Sequence, residues 1–233
     1  KCTYVINLLS KEIGIQNNSG ETALMKYIIY NRNPSIEIIK LLSSEIGLQN
    51  NYGETALINY IIYNDNRKPS IEIIKLLSKE IGKQNEYGIT ALMKYLENEC
   101  KIKCTYVINL LSKEIGIQNN SGETALMKYI IYNRNPSIEI IKLLSSEIGL
   151  QNNYGETALI NYIIYNDNRK PSIEIIKLLS SEIGIQNNYG ETALMKYIFY
   201  NENPSIEIIK LLSKEIGKQN EYGITALMKY LEN

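Results

Sequence analysis

Two helical patterns of apolar residues alternate along the chain of 233 residues. In residues 22–31, apolar side chains recur at the i, i+3, i+4, i+7 spacing of an amphipathic helix, which we call helix A. A polar Asn-Arg-Asn-Pro segment follows, and residues 35–46 then carry apolar side chains on nearly every side. This second pattern, helix B, predicts a helix that neighbours cover on more than one face.

The two patterns recur with a period of 33 to 35 residues. All 14 glycines fall into seven pairs six residues apart, and a Thr-Ala-Leu-x-x-Tyr string opens each helix A after its pair. The string begins at Thr22, Thr55, Thr90, Thr124, Thr157, Thr192 and Thr225. Because one short repeat cannot cover its own helix B, the sequence predicts an all-α solenoid of stacked helix-turn-helix repeats.

The repeats are predicted to form a single array over residues 1–233. Its boundaries give a half repeat at 1–16, full repeats at 17–49, 50–84, 85–118, 119–151, 152–186 and 187–219, and a half repeat at 220–233. Since each end of the sequence is half a repeat, we expect the array to be part of a longer one.

Polar residues and glycines predict where the helices begin and end. The threonine of each Thr-Ala-Leu string, for example Thr55, is the expected N-cap of helix A. The serine before each Ile-Glu-Ile-Ile, for example Ser35, is the expected N-cap of helix B. The first glycine of each pair, for example Gly47, is expected to end helix B in the left-handed conformation.

These features resemble the ankyrin repeat over the whole chain. The matching positions are Thr22 and Leu24 in helix A, the Ile-Glu-Ile-Ile-Lys-Leu-Leu of residues 36–42, and the glycine that closes helix B. Ala23 stands where the family usually has proline, and the segment between the paired glycines is shorter than usual, so its projecting loop, the finger, should be short. The resemblance implies a non-enzymatic scaffold that binds another protein through a concave surface of fingers and helix A.

Long stretches of the chain are exact copies of one another. Residues 1–78 are identical to 103–180, an offset of 102 residues or three repeats, and residues 69–98 are identical to 204–233. One surface pattern therefore recurs every three repeats. A surface of this kind suits a partner that is itself periodic or polymeric.

The composition argues against enzyme chemistry and nucleic-acid binding. Histidine is absent, which removes Ser-His-Asp triads and Cys-His zinc sites. The 25 basic and 25 acidic residues leave no net charge to attract nucleic acid. Every glycine belongs to a repeat turn, so none is left for a phosphate-binding loop. We expect no catalytic residues, no cofactor, and no apolar run for membrane insertion.

The three cysteines, Cys2, Cys100 and Cys104, are too few and odd in number for a disulfide framework. They favour a reducing, cytoplasmic location. Cys100 and Cys104 flank a Lys-Ile-Lys segment, but zinc needs about four ligands and no histidine is available. We therefore predict no metal site.

Two sets of residues are candidates for partner binding. The first contains the finger tyrosines Tyr52, Tyr87, Tyr154, Tyr189 and Tyr222. They can form a row of aromatic anchors, although packing of each tyrosine on the adjacent finger is the alternative. The second contains the helix A lysines Lys26, Lys94, Lys128 and Lys196, which have glutamates nearby. These can discriminate a charged partner, although a solvated face with no binding role is the alternative.

A structural role is the second hypothesis for the protein. The first helix B lacks a preceding helix A, and the last helix A lacks a following helix B, so each end presents an apolar face. Docking of one end on the other would build a filament or lattice by self-association.

Overall fold

The computed structural model describes residues 2–63, 68–98, 104–165 and 171–232. These residues form 14 α-helices and no strand, which confirms the all-α prediction for the described part of the chain. The chain divides into two compact units, Lys1–Asn120 and Ser121–Asn233, and each contains seven of the described helices. Within each unit, successive helices A pack on one another and successive helices B do the same, which is the predicted solenoid arrangement.

The helices are numbered α1 to α14 in chain order, so that odd numbers are helix B and even numbers are helix A. The helices B are Cys2–Leu8, Ile36–Leu41, Ile71–Leu76, Thr105–Leu110, Ile138–Leu143, Ile173–Leu178 and Ile206–Leu211. The helices A are Ala23–Tyr30, Ala56–Tyr63, Ala91–Glu97, Ala125–Tyr132, Ala158–Tyr165, Ala193–Tyr200 and Ala226–Glu232.

Helix B is shorter than its apolar pattern predicts, because a 3₁₀ turn replaces its last part. In the repeat of residues 17–49, α3 ends at Leu41, and the turn Ser43–Glu45 follows. The corresponding turns are Ser10–Glu12, Ser78–Glu80, Ser112–Glu114, Ser145–Glu147, Ser180–Glu182 and Ser213–Glu215. Gly47 has the predicted positive φ of 103°, but it follows the 3₁₀ turn and not the α-helix itself.

The threonine caps are confirmed, whereas the serines occupy the predicted N-cap positions but make no capping hydrogen bond. The Thr22 hydroxyl accepts a hydrogen bond from the Met25 amide at 3.3 Å. Ser35 occupies the N-cap position of α3, but in the described part of the chain its hydroxyl makes no capping bond. Its own backbone N–H donates to the Tyr27 hydroxyl at 2.8 Å. The tyrosine of the Thr-Ala-Leu-x-x-Tyr string therefore links the end of helix A to the start of helix B.

The core lies between the two helix layers. Leu57 and Ile58 of α4 and Ile74 of α5 are almost fully buried, and the equivalent side chains are buried in the other inner repeats. In helix B the last leucine is the core residue, since Leu144 is fully buried while Leu143 is half-buried. The apolar pattern of helix B predicts Leu143 as a core residue, and its half-buried position shows that this expectation is wrong.

Five buried glutamates, each from a 3₁₀ turn, join two consecutive repeats within a unit. Glu45 is fully buried, and its Oε1 accepts the N–H of Gly14 in the preceding repeat at 2.8 Å. Its Oε2 accepts the N–H of Leu24, at the start of helix A in its own repeat, at 2.6 Å. Glu80, Glu114, Glu182 and Glu215 make the same pair of bonds. Nothing in the sequence marks these residues, because a glutamate after a serine or lysine has the pattern of the polar end of an amphipathic helix.

Burial of these carboxyl groups changes their ionisation. Desolvation raises the pKa of Glu182 above its ordinary value of 4.5, and hydrogen bonds from the Gly149 and Leu159 amides oppose part of that shift. Burial acts in the same direction on the pKa of Glu80, Glu114 and Glu215. Each group therefore stabilises the fold fully below pH 4.5 and loses part of that contribution as the pH rises through its raised pKa.

Leu143, the last residue of α9, and Leu144, which follows it, give a test of the core. We expect Leu144→Ala to lower the free energy of unfolding by about 2 to 5 kcal/mol, because it leaves a cavity between neighbouring helices. Leu143→Ala, at a half-buried position, should cost clearly less. Urea denaturation followed by circular dichroism measures both. Equal losses would contradict the assignment of Leu144 to the core.

The buried glutamates give a second test. Glu182→Ala leaves the Gly149 and Leu159 amides without their acceptor, so we expect a loss of at least about 2 kcal/mol in the free energy of unfolding. Glu174→Ala is the matched control, since Glu174 is exposed on α11, and should cost less than about 1 kcal/mol. A Glu182 variant as stable as the control in urea denaturation would show that the carboxylate does not join the repeats.

Candidate functional site

Each finger is a tight turn that an asparagine side chain holds in place. In the finger of residues 50–53, Asn50 Oδ1 accepts the backbone N–H of Tyr52 at 3.0 Å and that of Glu54 at 2.9 Å. The Gly53 N–H donates to the Asn50 carbonyl at 2.9 Å, and Gly53 has a φ of 72°. The loop between the paired glycines therefore has one defined conformation that presents the tyrosine at its tip.

Adjacent fingers are joined by hydrogen bonds between their backbones. The Asn51 N–H donates to the Ser19 carbonyl at 3.0 Å, and the Glu86 N–H donates to the Tyr52 carbonyl at 2.8 Å. The Gln49 side chain adds a bond from its Nε2 to the carbonyl of Gln84 at 3.0 Å. Within each unit the fingers therefore form a continuous row with fixed spacing.

The five finger tyrosines lie on the surface of these rows. Between 49% and 77% of each side chain is exposed, with Tyr189 the least and Tyr222 the most exposed. A hydrogen bond to the adjacent Glu86 raises the pKa of Tyr87, and Glu221 acts in the same way on Tyr222. Tyr52 and Tyr87 lie in the first unit, and Tyr154, Tyr189 and Tyr222 lie in the second. In each unit the fingers present these rings to solvent, so their role as anchors stays a prediction.

The four candidate lysines are each held in an ion pair on helix A. Lys26 Nζ lies 3.1 Å from Glu21, and Lys128 Nζ lies 2.7 Å from Glu123. Lys94 pairs with Glu97 at 3.0 Å. Lys196 pairs with Glu191, which also binds Lys229 at 2.8 Å. Burial opposes ionisation of this shared carboxylate, but the hydrogen bonds from the two ammonium groups hold the pKa of Glu191 below its ordinary range.

Two of the four candidate lysines are largely covered, so the alternative of a solvated lysine face does not hold at those two positions. Only a tenth of the Lys128 side chain is exposed, and Lys196 is similarly covered, whereas Lys26 is the most exposed of the four. Asn59 and Asn161 stand at the same position of α4 and α10 and are almost fully buried. Neither amide group has a hydrogen-bond partner among the described residues. The stacking of helices A encloses this position, which the pattern of a single repeat does not reveal.

A second row of exposed tyrosines follows the C-terminal ends of helix A. They are Tyr30, Tyr63, Tyr132, Tyr165 and Tyr200. These tyrosines were not among the candidates from the sequence, although they recur three residues after the tyrosine of five of the seven Thr-Ala-Leu-x-x-Tyr strings. Lys26 Nζ lies 4.8 Å from the ring centre of Tyr30, and Lys128 Nζ lies 5.4 Å from that of Tyr132. These distances are within the range of a cation–π contact.

Direct contacts connect the fingers to the second tyrosine row across one repeat. Asn17 Nδ2 donates to Glu21 at 2.9 Å, and Glu21 accepts a hydrogen bond from Lys26. Lys26 in turn lies 3.5 Å from the Tyr30 hydroxyl. Finger, ion pair and helix-end tyrosine therefore form one surface, which we call the finger–helix A surface. It offers aromatic faces, hydroxyl groups and compensated charges to a ligand.

The described residues contain neither a metal-ligand cluster nor a helix that could span a membrane. They contain no cluster of three or more histidine, cysteine, aspartate or glutamate side chains arranged for a metal ion. None of the described helices is long and apolar enough to cross a bilayer. Cys104 is half-buried and forms no disulfide with another described residue, and Cys100 lies outside the described residues.

Comparison with known proteins identifies the repeat. The family model for ankyrin repeats, in three copies, matches residues 129–218. None of the curated proteins matches the sequence. The crystal structure of the ankyrin repeat domain of Bcl-3, a member of the IκB protein family, aligns with a TM-score of 0.64 over 91% of this chain and 95% of that one, at 18% identity. Residues 129–218 are therefore similar to ankyrin repeats, and the chain has the ankyrin-repeat fold.

The ankyrin fold fits both the family match and the duplicated sequence. Residues 27–78 are an exact copy of 129–180, so the matched repeats recur in the first unit. Ankyrin repeats are modules that bind protein partners and are typically not catalytic. The resemblance to ankyrin repeats that the residues predicted is thereby confirmed.

The paired glycines allow a matched test of the finger row. An Ala side chain at Gly155 would place Cβ 2.6 Å from the Asn188 backbone nitrogen, whereas at Gly149 no described atom lies within 4 Å. Both glycines have positive φ, 74° and 95°, so both substitutions carry backbone strain.

We therefore expect Gly155→Ala to lower the free energy of unfolding by about 1 to 3 kcal/mol more than Gly149→Ala, because it must also separate two fingers. Chemical denaturation of the two variants measures the difference. If Gly149→Ala proved as harmful, close packing between fingers would not be the constraint on the second glycine.

Proposed function

We propose that this protein is a non-enzymatic scaffold that binds a protein partner through the finger–helix A surface. The observation that carries the proposal is the exposure of all five finger tyrosines on loops whose backbone is already fixed. Tyrosine contributes large contact area and a hydroxyl group while losing little conformational entropy. A rigid loop further lowers the cost of ordering the surface on binding.

The charges on this surface indicate how a partner would be recognised. Lys26, Lys94, Lys128 and Lys196 are each neutralised by a glutamate within the same unit. With a net charge of zero for the whole chain, electrostatic attraction over long range contributes little to association. Aromatic packing and hydrogen bonds therefore select the partner, and the paired lysines orient it.

The repetition of the surface favours a periodic partner. The offset of 102 residues returns the same fingers and lysines three repeats later, for example Lys26 as Lys128 and Tyr52 as Tyr154. A partner with equivalent sites at matching intervals would engage both sets, and the second contact would add to affinity through effective concentration. A polymeric protein is one such partner.

We also propose that the protein acts in a reducing, cytoplasmic compartment. It uses no cofactor, binds no nucleic acid and does not insert into a membrane. The three cysteines support this placement, since Cys104 remains a thiol in the described structure. The absence of histidine from the sequence supports the non-enzymatic role.

A second candidate function is structural. It is self-association of copies end to end into a filament or lattice. The observation that favours it is the duplicated sequence. Residues 104–120 pack against residues 69–98, and exact copies of these two segments recur at residues 2–18 and 204–233.

Replacement of all five finger tyrosines by serine tests the main proposal. Serine is a suitable substitute, because residues 19 and 121 are already serine at this position of the finger. We expect the variant to keep the helicity of the parent and to lose capture of its partner from a lysate of the producing cells. Hot-spot tyrosines contribute about 1 to 2 kcal/mol or more each, so their joint removal should reduce capture at least tenfold. Quantitative mass spectrometry of the captured proteins measures this.

The control replaces five exposed glutamates of helix B with serine: Glu37, Glu72, Glu139, Glu174 and Glu207. This variant should capture the same proteins as the parent. Equal capture by the tyrosine variant would exclude the finger row as the binding surface, and loss of helicity would show that the tyrosines serve folding.

A further inference from the structure

A lysine of helix A lies between a glutamate and a tyrosine ring on the finger–helix A surface. The glutamate directly follows the finger, and the tyrosine stands at the end of the same helix A. Lys26 Nζ lies 3.1 Å from Glu21 and 4.8 Å from the ring centre of Tyr30. Its copy Lys128 makes the same two contacts at 2.7 Å and 5.4 Å. This surface therefore has room for a cation between a carboxylate and an aromatic ring.

Two repeats keep the glutamate and the tyrosine but lack the lysine. Asn59 of α4 and Asn161 of α10 stand at the lysine position. The glutamates of these repeats, Glu54 and Glu156, form no ion pair with another described residue. Each accepts one hydrogen bond from an asparagine of its own finger, at 3.3 Å. Each unit thus contains one such glutamate whose charge is not balanced.

The lysines of the following helices A are engaged elsewhere in the described structure. Lys94 follows Asn59 along the helix A layer of the first unit, and it pairs with Glu97 at 3.0 Å. Lys196 has the corresponding place in the second unit, and it pairs with Glu191. A cation for the unbalanced glutamates must therefore come from outside the described residues.

Exposed tyrosines at the helix ends lie beside these glutamates. Tyr63 and Tyr165 end the helices A of the two repeats, and more than half of each side chain is exposed. Burial of part of the ring raises the pKa of Tyr165, and the negative charges of Glu156 and Glu123 raise it further. The unbalanced carboxylate of the second unit thus acts directly on the tyrosine at the end of its own helix A.

A finger tyrosine lies within reach of the same kind of carboxylate. The raised pKa of Tyr87 comes mainly from its hydrogen bond to Glu86, and the charge of Glu54 in the preceding repeat adds to it. Tyr87 is 62% exposed, so its ring is available to a ligand. Glu54 is therefore close to an exposed aromatic ring of the next finger.

The asparagines at the lysine position do not serve the stability of the stack. Asn59 and Asn161 are almost fully buried, and neither amide group has a hydrogen-bond partner among the described residues. A buried amide without a partner destabilises a fold. Lys128 is also largely covered at this position, but it is paired. A residue that breaks a local rule in this way points to a functional role.

A carboxylate beside exposed tyrosine rings has the chemistry that recognises arginine. The planar guanidinium group donates two parallel hydrogen bonds to a carboxylate and stacks on an aromatic face. An ammonium group is more strongly hydrated and makes neither contact as well. Charge and ring chemistry together therefore favour arginine over lysine as the incoming cation.

We propose that Glu54 and Glu156 each bind an arginine side chain of the protein partner, in the place that Lys26 and Lys128 fill in the preceding repeats. The guanidinium group pairs with the carboxylate and stacks on the exposed tyrosine at the end of the same helix A. This inference rests on the proposed scaffold function and names the chemistry that the partner presents. The site occurs twice, 102 residues apart, once in each unit.

Fluorescence anisotropy with labelled peptides tests the proposal on the 233-residue chain. The probe is a short peptide in which arginine and glycine alternate. Its controls carry lysine, or citrulline, the uncharged analogue of arginine, in place of arginine. We expect the arginine peptide to bind in the micromolar to millimolar range and the lysine peptide to bind at least about threefold more weakly. The citrulline peptide should show no measurable binding.

A pair of double variants separates the proposed sites from the overall charge. Glu54→Gln combined with Glu156→Gln removes both carboxylates, so it should weaken binding of the arginine peptide at least about tenfold. Glu37→Gln combined with Glu139→Gln changes the net charge by the same amount at exposed positions of helix B. This control should bind the peptide like the parent.

A third double variant fills the sites with the chain's own kind of cation. Asn59→Lys combined with Asn161→Lys should weaken peptide binding as strongly as the glutamine variant, because each lysine can pair with its glutamate as Lys26 does with Glu21. We expect this variant to keep the parent's circular dichroism spectrum and to be at least as stable in urea denaturation. If lysine disturbs the fold, the glutamine variant decides alone.

Several results would overturn the proposal. They are an arginine peptide that does not bind, a glutamine variant that binds it like the parent, or an equal loss in the Glu37 and Glu139 control. Equal binding of the lysine peptide would overturn the assignment of arginine. Capture of the natural partner separates the two proposals. If the glutamine variant captured it like the parent while the finger variant with five serines did not, the scaffold function would stand and this inference would fall.

Discussion

The stack of repeats depends on a carboxylate placed where two backbone amides would otherwise be buried without acceptors. Glu45, Glu80, Glu114, Glu182 and Glu215 each bind the N–H after the preceding helix B and an N–H at the start of their own helix A. An apolar residue could fill the same space but could not accept these bonds. A charged carboxylate is costly to bury, and the raised pKa values of Glu80, Glu114, Glu182 and Glu215 reflect that cost.

The same constraint explains the shape of each repeat. A 3₁₀ turn at the end of helix B carries the glutamate inward, and a positive-φ glycine after it presents its amide to the next repeat's carboxylate, as Gly47 does to Glu80 at 2.7 Å. The fingers follow from this arrangement, because it holds successive repeats at a spacing where Asn51 reaches Ser19. The surface proposed to bind a partner is thus built on the contact that holds the stack together.

Repetition gives this protein more than a long surface. Because the sequence copies whole groups of three repeats, an interface that forms once inside the chain recurs as two separate halves, one in residues 2–18 and one in residues 204–232.

The sequence by itself determined the period, the order of helices, the threonine caps and the glycine conformations, since these depend on local spacing and backbone torsion. It led to wrong expectations for Ser35 as a cap, for Leu143 as a core residue and for the exposure of Lys128. It also gave no sign of Glu45. These features depend on which groups the next repeat brings near, and a serine, lysine or glutamate on an amphipathic helix looks solvent-facing until that neighbour is present. Only the tertiary stacking of repeats decides whether such a side chain is buried, and a buried polar group must then find its partner in the adjacent repeat.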